Sequence, residues 1–417
     1  MNANANQYDV VVIGGGPAGA TVATLLQQRG HRCLILESTE FPRYHIGESL
    51  IPHTYGTFER LGLLPQLKAS KFPVKYSVRF VAPSGTETAP FYFFETIEGE
   101  RAHTWQVKRS DFDKMCLTNA QSVGVEIRSK TRVSKVLFEG DQAIGVRIQS
   151  GDGVSEDIRC RVVVDASGRA TVLGMQLGLK EDIPGLHKSA IWTYYQGGYR
   201  GEGIDAGETT VFMIPDRGWF WYIPLPDNVV SVGIVASTNY LFREAQQYEP
   251  IFQREVELCQ PLAKWLEGAT CLGPLRGIRK LAYYNKQVVG KGWVTIGDAA
   301  GFLDPVYSSG LFLALASGDL ASDAIHEALV SGDLSEDALG TFVPKVWQGV
   351  EVMHRLVRAF YDSNFSFASF AKRFPDQRAA LIDCLIGDVV ERDHTEFLAA
   401  LAQMTPPPAP LHAAIGV

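Results

Sequence analysis

The sequence predicts an α/β fold: a discontinuous, Rossmann-like nucleotide-binding domain interleaved with a β-sheet domain, then a mainly helical C-terminal region. Three observations predict it. Tyr8-Asp-Val-Val-Val-Ile-Gly14, a glycine turn, an Ala/Leu-rich stretch from about Pro17 to Gln28 and Cys33-Leu-Ile-Leu-Glu37 make a strand, helix, strand unit in about 30 residues. Aromatic and β-branched residues dominate Ser189 to Ala236, the composition of a second, sheet-based layer. Residues 311 to 400 read as mainly helical.

The elements follow in chain order. Residues 1 to 7 are a polar stub. Residues 72 to 107 alternate polar and apolar positions, in Lys75-Tyr-Ser-Val-Arg-Phe-Val and Pro90-Phe-Tyr-Phe-Phe, and read as antiparallel strand. Arg109 to Gly124 reads as helix, and 126 to 165 as three short strands with turns at Glu139-Gly-Asp and Gly151-Asp-Gly. Residues 286 to 300 return to strand, turn and helix, and Met404-Thr-Pro-Pro-Pro-Ala-Pro410 cannot continue a helix and is extended. The expected division is 1–75, 105–185 and 280–330 for the nucleotide domain, and 76–104 with 186–279 for the sheet domain. A helical region, 331–403, and an extended tail, 404–417, complete it.

Composition excludes several classes. The 417 residues carry 39 Lys plus Arg against 46 Asp plus Glu, a net charge of −7, which disfavours a nucleic-acid partner. Six scattered cysteines show no CxxC pair or zinc spacing, so no metal site is expected and the thiols suit a reducing compartment. No run of 18 apolar residues occurs, and the N-terminus lacks a basic segment followed by an apolar one. A cytoplasmic chain without integral membrane contact is the expectation.

Gly14-Gly15-Gly16-Pro17-Ala18-Gly19 has the GxGxxG spacing, after an apolar strand and before a helix. Gly14 permits the tight turn, Gly16 lets backbone approach a pyrophosphate, and Gly19 lets helix pack on strand. Pro17 and Ala18 open the helix, whose N-terminal amides and dipole suit a diphosphate. Glu37 ends the next strand, where its carboxylate can accept ribose hydroxyls. Two distant segments add Val162-Val-Val-Asp165-Ala166-Ser-Gly168-Arg169 and Gly292-Trp-Val-Thr-Ile-Gly297-Asp298-Ala-Ala-Gly-Phe-Leu-Asp304-Pro305.

With these segments the sequence resembles the flavoprotein monooxygenase-type family. That resemblance implies noncovalent FAD, with Asp298 on a ribityl hydroxyl and Arg109 beside the diphosphate and ribityl chain. A surface ion pair is the competing reading for Arg109. Narrower motifs resemble the flavin-dependent halogenases: Trp219-Phe-Trp221-Tyr-Ile223-Pro224 after Arg217-Gly, in the pattern WxWxIP, and Asp304-Pro305-Val-Tyr307-Ser308-Ser309-Gly310. Lys71-Phe-Pro-Val-Lys75-Tyr-Ser-Val-Arg-Phe80 resembles their lysine-bearing segment, and Phe41-Pro-Arg43-Tyr-His45-Ile-Gly47-Glu48-Ser49-Leu-Ile-Pro52 their loop after the second strand. The resemblance extends the cofactor set to Ser38, Arg43, Gly47, Glu48, Ser49, Asp165, Ala166, Gly297, Pro305 and Gly310.

What the resemblance implies chemically is a phenol- or pyrrole-type halogenase. Reduced FAD, oxygen and a halide, chloride or bromide, form hypohalous acid, which halogenates an electron-rich aromatic. A halide seat needs amide donors, and Ser308, Ser309 and Gly310 at a strand-to-helix junction offer a nest. Lys75 is the candidate to hold hypohalous acid or trap it as a haloamine, with desolvation lowering its pKa. Lys71 is its control, on the same face if the strand period of two holds. A strand lysine facing water is the alternative. Trp219 and Trp221 share one strand face, Phe220 and Tyr222 the other; the indoles would bar substrate from the flavin, or are core aromatics. Tyr307 stands where the tryptophan-specific members carry a glutamate, which points to a ring that needs no such base. The small aromatic substrate is free or attached to an acyl or peptidyl carrier protein. With one nucleotide fingerprint only, reduced FAD comes from a separate flavin reductase. The other readings are an aromatic hydroxylase or isoprenoid reductase of the same fold, and a non-catalytic flavoprotein.

Overall fold

A strand covered on both faces has to be apolar throughout, and in the computed structural model the strand Tyr8–Ile13 lies at the heart of a parallel sheet, with Val10, Val11 and Val12 fully buried. Residues 8–150, 153, 155–214 and 218–411 are described. The sheet runs Val289–Gly290, Trp293–Thr295, Ser155–Asp165, Tyr8–Ile13, Cys33–Leu36, Glu126–Arg128, all neighbours parallel except the first pair. The helix Pro17–Gln28 has proline in its first turn, where no amide is needed. It packs against the long helix Ser309–Ser331, where a Cβ on Gly318 would stand 2.8 Å from the Ala18 carbonyl oxygen.

The second sheet orders Thr270–Cys271, Lys188–Gln196, Val229–Ser237, Gly218–Pro224, Thr209–Ile214, Ser77–Val81 and Phe91–Tyr92. Period two sends Trp219 and Trp221 into one core and Phe220 and Tyr222 into another. Gly233 lies opposite Trp221 and makes room for it: a Cβ there would fall 2.1 Å from the indole. Beyond Ser331, the helices Val343–Phe360, Phe367–Arg373, Arg378–Ile386 and Thr395–Ala402 follow, and residues 405–411 form neither helix nor strand.

Several segments depart from their sequence expectation. Residues 126 to 165 form four strands, because Glu126–Arg128 joins the parallel sheet and the other three form antiparallel hairpins. The alternating stretch 72–107 breaks into Val74–Lys75, Ser77–Val81, Phe91–Tyr92 and Thr104–Trp105 with two 3-10 turns between, and Ser77–Val81 pairs parallel with Thr209–Ile214. Gly297–Ala299 is a 3-10 turn followed by the strand Gly301–Phe302; the helix waits until Ser309. The polar stub, the centre of the turn at 151–152, Arg217 and residues 412–417 lie outside the described residues. Five cysteines are buried and Cys271 is exposed, all free. Among the described residues no helix is long and apolar enough to cross a membrane, and no three His, Cys, Asp or Glu side chains cluster as metal ligands.

Candidate active site

A cleft of about 1000 Å³ opens along the C-terminal ends of the parallel strands, where open α/β sheets bind ligands. Gly14, Gly16, Pro17, Ala18, Glu37, Ser38, Arg43, Gly47, Arg109, Ala166, Asp298 and Gly310 all line it, gathered from segments up to about 300 residues apart. Gly14 has φ +101°, and a Cβ there would meet the Ala166 carbonyl oxygen at 2.5 Å. At Gly16 a Cβ would meet only the Arg43 guanidinium, at 3.3 Å, so the cleft side of this turn is open backbone. The helix it starts has no acidic residue in its first turn. Arg109 and Arg43 converge on Asp113, at 2.7 and 3.1 Å, with Arg109 also donating to the Ile46 and Gly47 carbonyls. Open helix-start amides and two arginines in a cleft of this size fit a dinucleotide diphosphate. Glu37 spends much of its accepting capacity locally, on the Gly15 amide at 2.9 Å and the Thr39 amide and hydroxyl at 2.9 and 2.7 Å.

Other residues expected on the cofactor face elsewhere. Gly19 serves packing, since a Cβ would fall 2.1 Å from the Gly14 oxygen. Asp165 is fully buried and accepts from the Ser167 and Leu173 amides, tying its own turn together. Gly297 and Pro305 do not line the cleft either; Gly297, at φ +58°, turns the chain where a Cβ would crowd Ala18 and Ala314. Glu48 and Ser49 point to opposite sides of an extended segment bridged to Gln106. Glu48 accepts from Tyr194 at 2.7 Å, and burial pushes its carboxyl up to about 7. Ser49 turns away from the cleft to Lys75.

Lys75 is fully buried. Its ammonium donates to Ser49 Oγ at 2.8 Å and the Leu50 carbonyl at 3.0 Å, and lies 5.5 Å from the centre of the Phe93 ring. Burial lowers its pKa to about 7, with no carboxylate partner to oppose the shift. Lys71 precedes the two-residue strand and is exposed, so the two lysines share no face. Lys75, Tyr307 and Ser308 line one small chamber of about 30 Å³, walled by Phe91, Tyr92, Phe93 and Glu95 and by the helix Arg378–Ile386 through Ile382, Leu385 and Ile386.

The segment between cleft and chamber is the start of the long helix. Ser308, left-handed at φ +56°, borders the chamber, while Gly310, two residues on, borders the cleft. The Ser308 amide is committed to the Pro305 carbonyl at 3.0 Å, which leaves the first-turn amides of Ser309 and Gly310 for an anion. Tyr307 hydroxyl donates to the Leu356 carbonyl at 3.1 Å. Neither Trp219 nor Trp221 lines the cleft or the chamber; both are core residues, with indole N–H groups bonded to Tyr361 at 2.9 Å and Ser231 at 3.1 Å. Sequence reasoning missed the aromatic partners Tyr194 and Tyr361, since nothing local connects them to Glu48 and Asp304.

Residues 7–196 match the FAD binding domain family. The chain is 30% identical over 420 residues to the 1H-pyrrole-2-carbonyl-(peptidyl-carrier protein) chlorinase of Pseudomonas fluorescens, covering 96% of this chain and 93% of that protein. It is 32% identical over 323 residues to the corresponding brominase of Pseudoalteromonas luteoviolacea, 77% of each. The solved structure of a flavin-dependent brominase superposes with a TM-score of 0.87 at 28% identity, over 95% of this chain and 97% of that one.

Two outcomes test the cleft and the chamber. Gly16 has φ −69°, so Gly16→Val adds no backbone strain and leaves a folded chain of near-native melting temperature. Its side chain enters the cleft, and the purified protein loses FAD, read by flavin absorbance; undiminished flavin content would overturn the phosphate assignment. For Lys75, the unfolded chain binds more protons than the folded one between pH 7 and the ordinary lysine value of 10.5. Stability contributed by this group therefore rises with pH across that window. In urea denaturation wild type gains on Lys75→Met between pH 7 and pH 9.5; a constant gap would show that the ammonium is not desolvated.

Proposed function

The chain belongs to the flavin-dependent halogenases, and from that premise we propose that it halogenates an electron-rich pyrrole or phenol carried on a carrier protein, with Lys75 presenting the oxidant. As an FAD-dependent halogenase the enzyme uses reduced FAD, oxygen and halide. Bound reduced FAD supplies, with oxygen, the oxidising equivalent that turns halide into hypohalous acid.

One observation carries the reading of the residues: Lys75, Tyr307 and Ser308 line a single small chamber that shares a helix start with the cofactor cleft. The Ser309 and Gly310 amides hold the halide at that start. Two of the three ammonium protons of Lys75 are used by Ser49 and Leu50, and the third is free to hold the oxygen of hypohalous acid. The halogen then passes to a ring carbon, and the displaced ring proton leaves with the hydroxide as water. The chamber of about 30 Å³ is small beside an aromatic ring, so the substrate ring would need its walls, including Phe93 and Ile386, to move apart. Tyr307 is no base, because burial raises its pKa and keeps its hydroxyl protonated, donating a hydrogen bond to the Leu356 carbonyl. A pyrrole or phenol, whose own labile proton assists rearomatisation, suits that site. The two carrier-protein-directed relatives support a tethered substrate. A separate flavin reductase supplies reduced FAD, since the chain has one nucleotide fingerprint.

The test supplies a flavin reductase, NADH, oxygen and bromide or chloride with either a pyrrolyl-loaded carrier protein or free pyrrole-2-carboxylate, read by mass spectrometry. Halogen appears on the tethered ring; equal turnover of the free acid overturns tethering, and oxygen insertion without halide overturns halogenation. Lys75→Ala retains FAD and loses about 30- to 1,000-fold in single-turnover rate, the scale of one positioned donor. Exposed Lys71→Ala keeps the native rate.

A further inference from the structure

The segment Asp304–Tyr307, which leads into the halide-binding helix start, is clamped by the end of a helix far away in sequence. The Tyr361 hydroxyl donates to Asp304 Oδ2 at 2.9 Å, while Asp304 Oδ1 accepts from the Val306 amide at 3.0 Å. At the other end of the segment, the Tyr307 ring meets Phe360 edge-on at 6.1 Å and its hydroxyl bonds the Leu356 carbonyl. Leu356 and Phe360 are the last turn of the helix Val343–Phe360, and Tyr361 follows at once.

Trp219 holds the far side of this clamp. Its indole N–H donates to the Tyr361 oxygen at 2.9 Å, and its ring meets Phe360 at 6.3 Å. The Lys188 ammonium sits 3.6 Å from the centre of the Tyr361 ring. A chain of hydrogen bonds thus runs from the motif tryptophan through Tyr361 to Asp304 and into the backbone at Val306. Ser308, next but one, is a non-glycine residue at φ +56°, a conformation kept only where the surroundings over-determine it.

We propose that Tyr361 is a positioning residue for halide binding, through which Trp219 holds the Asp304–Ser308 turn so that the Ser309 and Gly310 amides face the halide. The inference rests on the reading of that helix start as the halide seat. It gives Trp219 a role by hydrogen bonding that its position away from both cavities denies it as a partition.

Tyr361→Phe keeps the ring and removes only the hydroxyl. The expected result is a bromide KM raised about tenfold, the scale of one lost hydrogen bond, with kcat at saturating bromide and FAD affinity unchanged. Trp219→Phe raises the bromide KM in the same direction, and the double variant equals Tyr361→Phe alone, because the path runs through the phenol. Crystals of the FAD-loaded protein in bromide give a second readout: an anomalous bromine peak at Ser309 and Gly310, weaker in Tyr361→Phe. An equal peak and an unchanged bromide KM in Tyr361→Phe overturn the positioning role and leave the seat standing. A peak elsewhere in the wild-type protein overturns both.

Discussion

An ammonium without any solvent contact is among the costliest groups a protein can bury, and the compensation of Lys75 organises the centre of this molecule. No carboxylate neutralises it; instead Ser49 and the Leu50 carbonyl accept its protons. Ser49 is in turn 3.0 Å from Thr209, which accepts from Gln106 at 2.7 Å, and Gln106 also bonds the Gly207 carbonyl. The loop after the second parallel strand, the small pair of strands at Lys75 and Thr104–Trp105, and the edge of the antiparallel sheet are thereby joined by one polar network. A carboxylate partner would have been the cheaper solution for folding. It would also have held the lysine fully charged, whereas neutral acceptors leave its pKa near 7, so that the group passes between ammonium and amine close to neutral pH.

The cleft follows the opposite rule. There Asp113, fully buried, holds both Arg109 and Arg43, so each arginine is oriented by a carboxylate while its remaining N–H groups reach carbonyls or the open cleft. Removing the aspartate would orphan two cations at once, the costly way to break a buried network. Nearby, His45 is driven down to about 4 by burial and by Arg109, and so adds no charge at neutral pH. Beside the helix start at Gly16, Asp113 thus fixes two guanidinium groups that suit a diphosphate, and Arg132 and Lys135 add further positive charge to the cleft lining.

Local rules read well wherever a segment is long and its chemistry local. The helix Pro17–Gln28 matches its sequence expectation at both ends, because proline marks the start and the strand-glycine-helix grammar permits few alternatives. The period-two split of Trp219 and Trp221 from Phe220 and Tyr222 holds because that strand is seven residues long and paired on both sides. The same rule fails for Lys71 and Lys75, where the strand is two residues and Lys71 precedes it. Asp165 was legible as an acidic strand end but not as a turn cap, since that depends on where the Leu173 amide returns. Glu48 and Ser49 were legible as a motif; which one faces Lys75 depends on the bridge to Gln106, more than 50 residues on.

What divides the two cavities is also what connects them. Gly310 faces the cleft and Ser308 the chamber, so the wall between cofactor and lysine is a single turn of backbone at the start of a 23-residue helix. For the proposed halide seat an amide-lined wall is suited, because N–H donors can hold both an anion and a neutral hypohalous acid, whereas a charged side chain would bind one and trap it. Its thinness sets a second requirement: the wall cannot be braced by its own packing, as Ser308 is left-handed and Gly310 has no side chain. Bracing therefore comes from outside, from Asp304, Tyr307 and the end of the helix Val343–Phe360. The C-terminal helices contribute no described residue to the large cleft, yet they line the small chamber and hold the backbone on which the division between the two cavities rests.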